Sequence, residues 1–241
     1  MKRRYARAVP KPPSRLPGAD ALAEHYTAIA KTYDTLYTGR LERTEDDVVR
    51  LLARSIVKPG ARVLDVGCGT GHLIPMLYGL KVRYLGLDPA QGMIDILRER
   101  YQGADARPCR FEEADFLGWN ETEAVMALYG AWSYVQPERG LRKLVEILRP
   151  GGQALLMTYG PRYRVRSHQG LSGGIVTFRP SPATMIAMSS RWGLRVVDCC
   201  ALTVTRAALT LPLARLELRL LGHRPGACRR ARYLVTVVRK P

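Results

Sequence analysis

The chain has 241 residues, 46% hydrophobic and 24% charged, so one sizeable core with additions is expected and a disordered chain is excluded. No apolar run approaches the roughly 20 residues that span a bilayer, and the basic N-terminus lacks the apolar segment of a secretory signal. Five cysteines without a C-x-x-C pair support neither a metal site nor a disulfide framework, so the expected compartment is the reducing cytoplasm. The formal net charge is +17. Such an excess suits nucleic acid, an anionic membrane or acidic small molecules, or else is a solvated arginine-rich surface with no partner at all.

Residues 1–18 place Lys2, Arg3, Arg4, Arg7, Lys11 and Arg15 among four prolines. A helix cannot cross those prolines, and a flexible basic arm is expected. From Ala19 the pattern turns helical, with Ala21, Leu22, His25, Ile29, Tyr33 and Leu36 at three- and four-residue steps. A second helix is signalled by Thr44 as N-cap, with Glu45, Asp46 and Asp47 in a first turn where negative charge suits the macrodipole. It should stop before Pro59-Gly60, giving a helical N-terminal segment over 19–58.

Val63-Leu64-Asp65-Val66 then reads as a buried strand, and Gly67-Cys68-Gly69-Thr70-Gly71 breaks it before an apolar run at helical spacing. Strand, glycine turn, helix is the unit that brings bare backbone close to a nucleoside-bearing ligand. The spacing is G-x-G-x-G, with His72 where a dinucleotide fingerprint would place its last glycine. Asp65 before the glycines would repel a pyrophosphate but not a cation. The second strand, Val82 to Leu87, ends in Asp88, at the offset of about 20 residues where an acid meets a ribose in nucleotide-binding folds.

VLDVGCGTG followed by Gly86-Leu87-Asp88-Pro89 resembles the first two motifs of class I S-adenosylmethionine-dependent methyltransferases, over roughly residues 25–160. The resemblance implies an α/β, Rossmann-like, doubly wound, seven-stranded sheet with the last strand antiparallel. It also implies S-adenosyl-L-methionine as cofactor, near Asp65, Gly67, Cys68, Gly69, Gly71, Asp88 and Pro89, with Met93 on the adenine. Ile29 to Tyr37 resembles the segment that forms a lid over cofactor and acceptor in such enzymes, which makes Tyr33 a candidate acceptor contact. Core packing explains Tyr33 and Met93 equally well.

The third strand, Ala106 to Phe111, leads into Glu112-Glu113-Ala114-Asp115. In the family a polar residue here accepts from the adenine amino group, and the assignment stays open between Glu112, with neighbouring Glu113, and Asp115. The fourth strand, Ala124 to Leu128, runs into Tyr129-Gly130-Ala131-Trp132-Ser133-Tyr134. Open α/β sheets place ligands at that strand end. Tyr129 is therefore a cofactor or catalytic candidate, and Trp132 and Tyr134 face the acceptor or pack on the helix over Pro137–Leu148. Arg149-Pro150-Gly151-Gly152 before the fifth strand is another family match.

Residues 161–181 form an arginine-bearing insertion where acceptor specificity is commonly placed. Arg162 and Arg164 would there suit a carboxylate or phosphate. A helix over Pro182–Trp192 and strands over Leu194–Cys200 and Arg232–Val238 complete the core of 59–241. A second insertion, 203–230, carries an amphipathic stretch, Leu209 to Leu221, that covers the sheet edge or makes a homodimer contact. A general base is needed only for an acceptor protonated at working pH, and His168 and Tyr129 are the candidates. The reading is methyl transfer to a small-molecule or peptide acceptor, with acidic acceptors favoured by the arginines. RNA or DNA is the alternative substrate, and a non-catalytic cofactor-binding subunit a third. No [DNS]-P-P-[YFW] motif follows the fourth strand, and Pro108-Cys109 falls too early to attack a pyrimidine.

Overall fold

The structure is a computed structural model and describes residues 16–116, 118–161, 163–168, 175–203, 211–223, 227 and 231–241. Residues 1–15 of the basic arm, Arg162, and 204–210, 224–226 and 228–230 of the second insertion lie outside the described residues. Seven strands form one sheet: β1 Arg62–Val66, β2 Arg83–Leu87, β3 Asp105–Arg107, β4 Thr122–Ala127, β5 Leu148–Tyr159, β6 Arg195–Leu202 and β7 Tyr233–Arg239. Their order is β3-β2-β1-β4-β5-β7-β6, and β7 runs antiparallel to both neighbours. The expected sheet, with its last strand antiparallel, is present. Chain order reverses direction at β1, between β2 and β4, and ligands of open α/β sheets bind at that switch point.

Alternate residues of each central strand enter two separate cores, because successive side chains point to opposite faces. Val63, Met126 and Leu155 join one core with Val48, Val49 and Ala53 of helix α2 (Arg40–Ile56). Leu64, Val125 and Leu156 join the other, under Leu141, Leu144 and Ile147 of α5 (Pro137–Ile147). Strands buried on both faces read as continuous apolar runs, which is why their positions were plain in the sequence. The remaining helices are α1 (Ala19–Ile29), α3 (Leu73–Met76), α4 (Gln91–Arg100), α6 (Pro182–Arg191) and α7 (Leu211–Leu221).

Several boundaries differ from expectation. Helix α2 is capped by Gly39 and begins a turn before Thr44, whose hydroxyl instead donates to Arg40 O at 3.1 Å inside the helix. Glu42, Glu45, Val48 and Val49 form one buried stripe, so two acids stand where an apolar residue would have marked the helix start. Strand β3 ends at Arg107, because Pro108 has no N–H for the ladder. The apolar run at helical spacing after the glycines forms only a single helical turn, α3, and β5 starts at Leu148, taking in the Arg-Pro-Gly-Gly turn.

Candidate active site

At the carboxyl ends of the strands, the sheet, α1, the 3-10 turn Tyr33–Tyr37 and the start of α2 enclose a cavity of about 1660 Å³, its open mouth included. Strand β1 is followed by Gly67, whose φ of +69° turns the chain back so that the amides of Gly67 and Cys68 both donate to Leu87 O, at 2.7 and 3.1 Å. A Cβ on Gly67 would stand 2.7 Å from the Ala131 methyl, so only glycine fits between these loops. Asp88 fixes the loop from β2. Its Oδ2 accepts the Gly69 amide at 3.0 Å and its Oδ1 the Ala90 amide at 2.9 Å. Burial raises the Asp88 carboxyl to about 6, against the pull of those two amides and Arg110. Asp65 is 2% exposed and accepts the Tyr84 hydroxyl at 2.9 Å; burial carries its carboxyl to about 7.

The N-terminal helical segment packs on this loop through named contacts. Asp34 Oδ1 accepts the Thr70 hydroxyl at 2.8 Å, and its Oδ2 is paired with Arg100 of α4. Met93 packs with Ala30, Ala90, Tyr26 and Tyr33 while also lining the cavity. Gly92 lets α1 approach α4, since a Cβ there would meet Thr27 O at 2.6 Å. On the other wall Glu112 lines the cavity and accepts the Gln136 amide, whereas Asp115 is exposed and outside the lining. Burial raises the Glu112 carboxyl.

Beyond the glycine loop, eight tyrosines line the cavity. Their rings touch in sequence. Tyr37 meets Tyr33, Tyr33 meets Tyr26 and Tyr26 meets Tyr134, at 5.4, 5.8 and 6.4 Å between centroids. Tyr134 meets Tyr159, Tyr159 meets Tyr233 and Tyr233 meets Tyr129, at 5.7, 5.9 and 6.3 Å. Tyr163 stacks on Tyr159 at 5.6 Å. Tyr129 sits at φ +50°, a strained conformation for a side-chain-bearing residue. It donates to Asp46 Oδ1 at 2.7 Å, and His72 Nε2 reaches the same oxygen at 3.2 Å. The carboxylate raises the His72 imidazole above its ordinary value.

Residues 63–152 match a family described as a methyltransferase domain. The glycine loop, Asp88 and the 3-2-1-4-5-7-6 sheet agree with that match, and residues 63–152 are similar to a class I methyltransferase domain. A demethylmenaquinone methyltransferase of Clavibacter sepedonicus is 27% identical over 156 residues, 61% of this chain and 60% of that one. A malonyl-[acyl-carrier protein] O-methyltransferase of Methylococcus capsulatus is 31% identical over 140 residues, 56% of this chain and 50% of that one. The chain thus spans 50% to 60% of the length of these curated relatives. The solved [4+2]-cyclase SpnF superposes with a TM-score of 0.67 at 17% identity, covering 94% of this chain and 97% of that one. That likeness concerns the fold alone, which carries more than one chemistry.

The cavity gathers Asp65, Gly67, Cys68, Gly69, Asp88, Pro89, Met93, Glu112, Tyr129, Tyr33 and Tyr134. Other candidates stand elsewhere. Gly71 faces the Tyr101 ring and Leu97 of α4, so it serves helix packing and not the cleft. Glu113 and Arg164 are exposed outside the lining, and Arg162 lies outside the described residues. Trp132, for which contact with the acceptor and packing on the following helix were both open, is fully buried against Phe111, because the 3-10 turn Ala131–Tyr134 directs it under α5. His168 stands behind Tyr134, its Nε2 2.7 Å from that hydroxyl, and burial lowers it to about 4, too weak a base to hold a proton at neutral pH. Tyr129 is held neutral, its phenol pushed well above 10 by burial and Asp46, so it donates and does not abstract. The residues missed were Asp34, Asp46, His72, Tyr159, Tyr163, Arg232 and Tyr233. One signal pointed to the tyrosines among them: twelve tyrosines against three phenylalanines is more hydroxyl than an aromatic core needs.

Proposed function

We propose that the chain binds S-adenosyl-L-methionine and catalyses methyl transfer to a small-molecule or peptide acceptor. The observation that carries the reading is Asp88, whose carboxylate holds the Gly69 amide while lining the cleft. Each oxygen accepts one backbone N–H and keeps lone-pair capacity for a vicinal ribose diol. The groups present fit this cofactor. Asp65, Asp88 and Glu112 are all carboxyls, suited to hydroxyl, ammonium and amino donors and unsuited to a pyrophosphate. A Cβ on Gly69 would point into open space, which marks room beside the loop. When bound, the cofactor supplies an electrophilic methyl on a sulfonium with a neutral leaving group. The chain's task is then alignment and exclusion of water. The Asp34–Thr70 contact closes the lid, and the tyrosine ring walls the reacting centre.

The +17 charge is the feature that favours a nucleic-acid acceptor. Seven carboxyls lining the cavity against two guanidiniums disfavour a phosphate there. The test is calorimetric binding of S-adenosylhomocysteine, with transfer of labelled methyl to fractionated cell extract. Binding should vanish in Gly69→Arg, which puts a cation and a strained left-handed residue into the loop, and in Asp88→Ala. Unchanged affinity in both folded variants refutes the cofactor assignment.

A further inference from the structure

The cavity has the opposite charge from the protein that contains it. Both arginines in its lining are already held by carboxylates. Arg110 donates to Asp20 at 2.8 Å and to Ala19 O. Arg232 reaches Glu45 at 2.9 Å and Glu42 at 3.6 Å, and stacks over the Tyr163 ring with 5.0 Å to the centroid. Its side chain is 12% exposed, so little of its charge is offered to a ligand. Asp46 is different. It is 31% exposed in the lining and, among the described residues, holds the Tyr129 phenol and the His72 imidazole alone. Beside it stands the Tyr129 ring, and an aromatic π face attracts a cation most strongly where water is displaced.

We infer that the acceptor is an organic amine that enters this cavity as its ammonium, seated on Asp46 beside Tyr129, since the Tyr159 and Tyr233 rings already carry Arg179 and Arg232 at 5.5 and 5.6 Å from their centroids. The identity of the reaction rests on the methyl-transfer reading above, whereas preference for a cation rests on the cavity alone. An acidic acceptor, favoured by the arginines in sequence, would meet Asp46, Glu42 and Glu45 with no unengaged guanidinium in the lining to offset them.

An ammonium has no lone pair and must lose a proton before it attacks. His72 lines the cavity with Nε2 held by Asp46, and among the described residues its Nδ1 makes no hydrogen bond. Nδ1 takes the proton, giving an imidazolium that Asp46 stabilises. The amine lone pair then forms the bond to the methyl carbon as the carbon–sulfur bond breaks, and that electron pair stays on sulfur. A methylated ammonium and a neutral thioether result, and His72 returns its proton to water.

The test compares 2-phenylethylamine, 2-phenylethanol and phenylacetate, and in parallel hexylamine, hexanol and hexanoate, on protein saturated with S-adenosylhomocysteine. Calorimetry at pH 7.5 should show each amine binding at least tenfold more tightly than its alcohol, with the carboxylates weakest. Asp46→Asn should remove most of the amine's advantage and leave the alcohols unchanged, and His72→Gln should retain amine binding while slowing methyl transfer. Alcohols binding as well as amines, carboxylates binding best, or no amine binding at millimolar concentration overturns the proposal. The ligand series on the unaltered protein decides the matter even if Asp46→Asn fails to fold. Loss of S-adenosylhomocysteine binding would strike the methyl-transfer reading; retention of it with no amine preference strikes only this inference.

Discussion

Asp34 accepts the Thr70 hydroxyl at 2.8 Å, and that bond joins the N-terminal helical segment to the glycine loop. The N-terminal segment is therefore coupled to the loop proposed to hold the cofactor. Asp34→Ala should loosen residues 19–37 and weaken S-adenosylhomocysteine roughly tenfold, the effect of losing a hydrogen bond of about 1 kcal/mol and part of an ion pair. Thr70→Val should do less, and the double variant should not be additive. Hydrogen exchange of the lid amides, with calorimetry, measures both.

Cofactor affinity should depend on Asp88 through pH. The ionised carboxylate is the form that accepts from hydroxyl donors, and its value of about 6 places the change within reach of ordinary buffers. Affinity should fall as pH drops through 6 and level off above 7. In Asp88→Asn affinity should be lower throughout and that step should be missing. Titration calorimetry between pH 5 and 8 checks it.

Asp65 should set function against stability. A carboxyl raised to about 7 is favoured protonated in the folded chain, so its stabilising contribution is complete below the unfolded value near 4 and is lost as pH rises through 7. Above that, the ionised buried group destabilises the cofactor-free fold by on the order of 4 kcal/mol at most. Asp65→Asn should raise the urea midpoint at pH 8 and leave it little changed at pH 4. The same variant should weaken cofactor binding, because an amide does not neutralise an ammonium.

Trp132 separates core from site. It is fully buried and, among the described residues, its indole N–H has no hydrogen-bond partner. Trp132→Ala should cost about 3–5 kcal/mol. Trp132→Phe should cost less than that, since the polar group it removes was unsatisfied. Neither should change which acceptor is used, which a substrate panel at a temperature where both are folded would measure.

The sheet was legible because its signals are local. Val63 to Val66, the glycines and Asp88 lie within one stretch, and each strand carries its own apolar run. The acceptor end was not. Glu45 read as a helix-terminus acid and Glu42 carried no signal, because their partner, Arg232, comes from just before β7 at the far end of the chain. Tyr26, Tyr134, Tyr159 and Tyr233 come from four separate elements and have no shared period. Trp132 and Tyr134 are two residues apart, yet one is in the core and the other in the cleft. The 3-10 turn makes that difference, and its geometry follows from the left-handed pair Tyr129 and Gly130, which no pattern announced.

The basic exterior and the carboxyl-lined cavity together shape the kinetics of entry. At 0.1 M salt the surrounding positive field is screened beyond about 10 Å. A cationic ligand approaching a +17 body therefore climbs a shallow barrier before it reaches the attractive interior. Added salt should flatten the outer barrier more than it shields the buried well. Arrival of a cation should accordingly speed up with ionic strength while its departure changes less, the reverse of ordinary electrostatic steering.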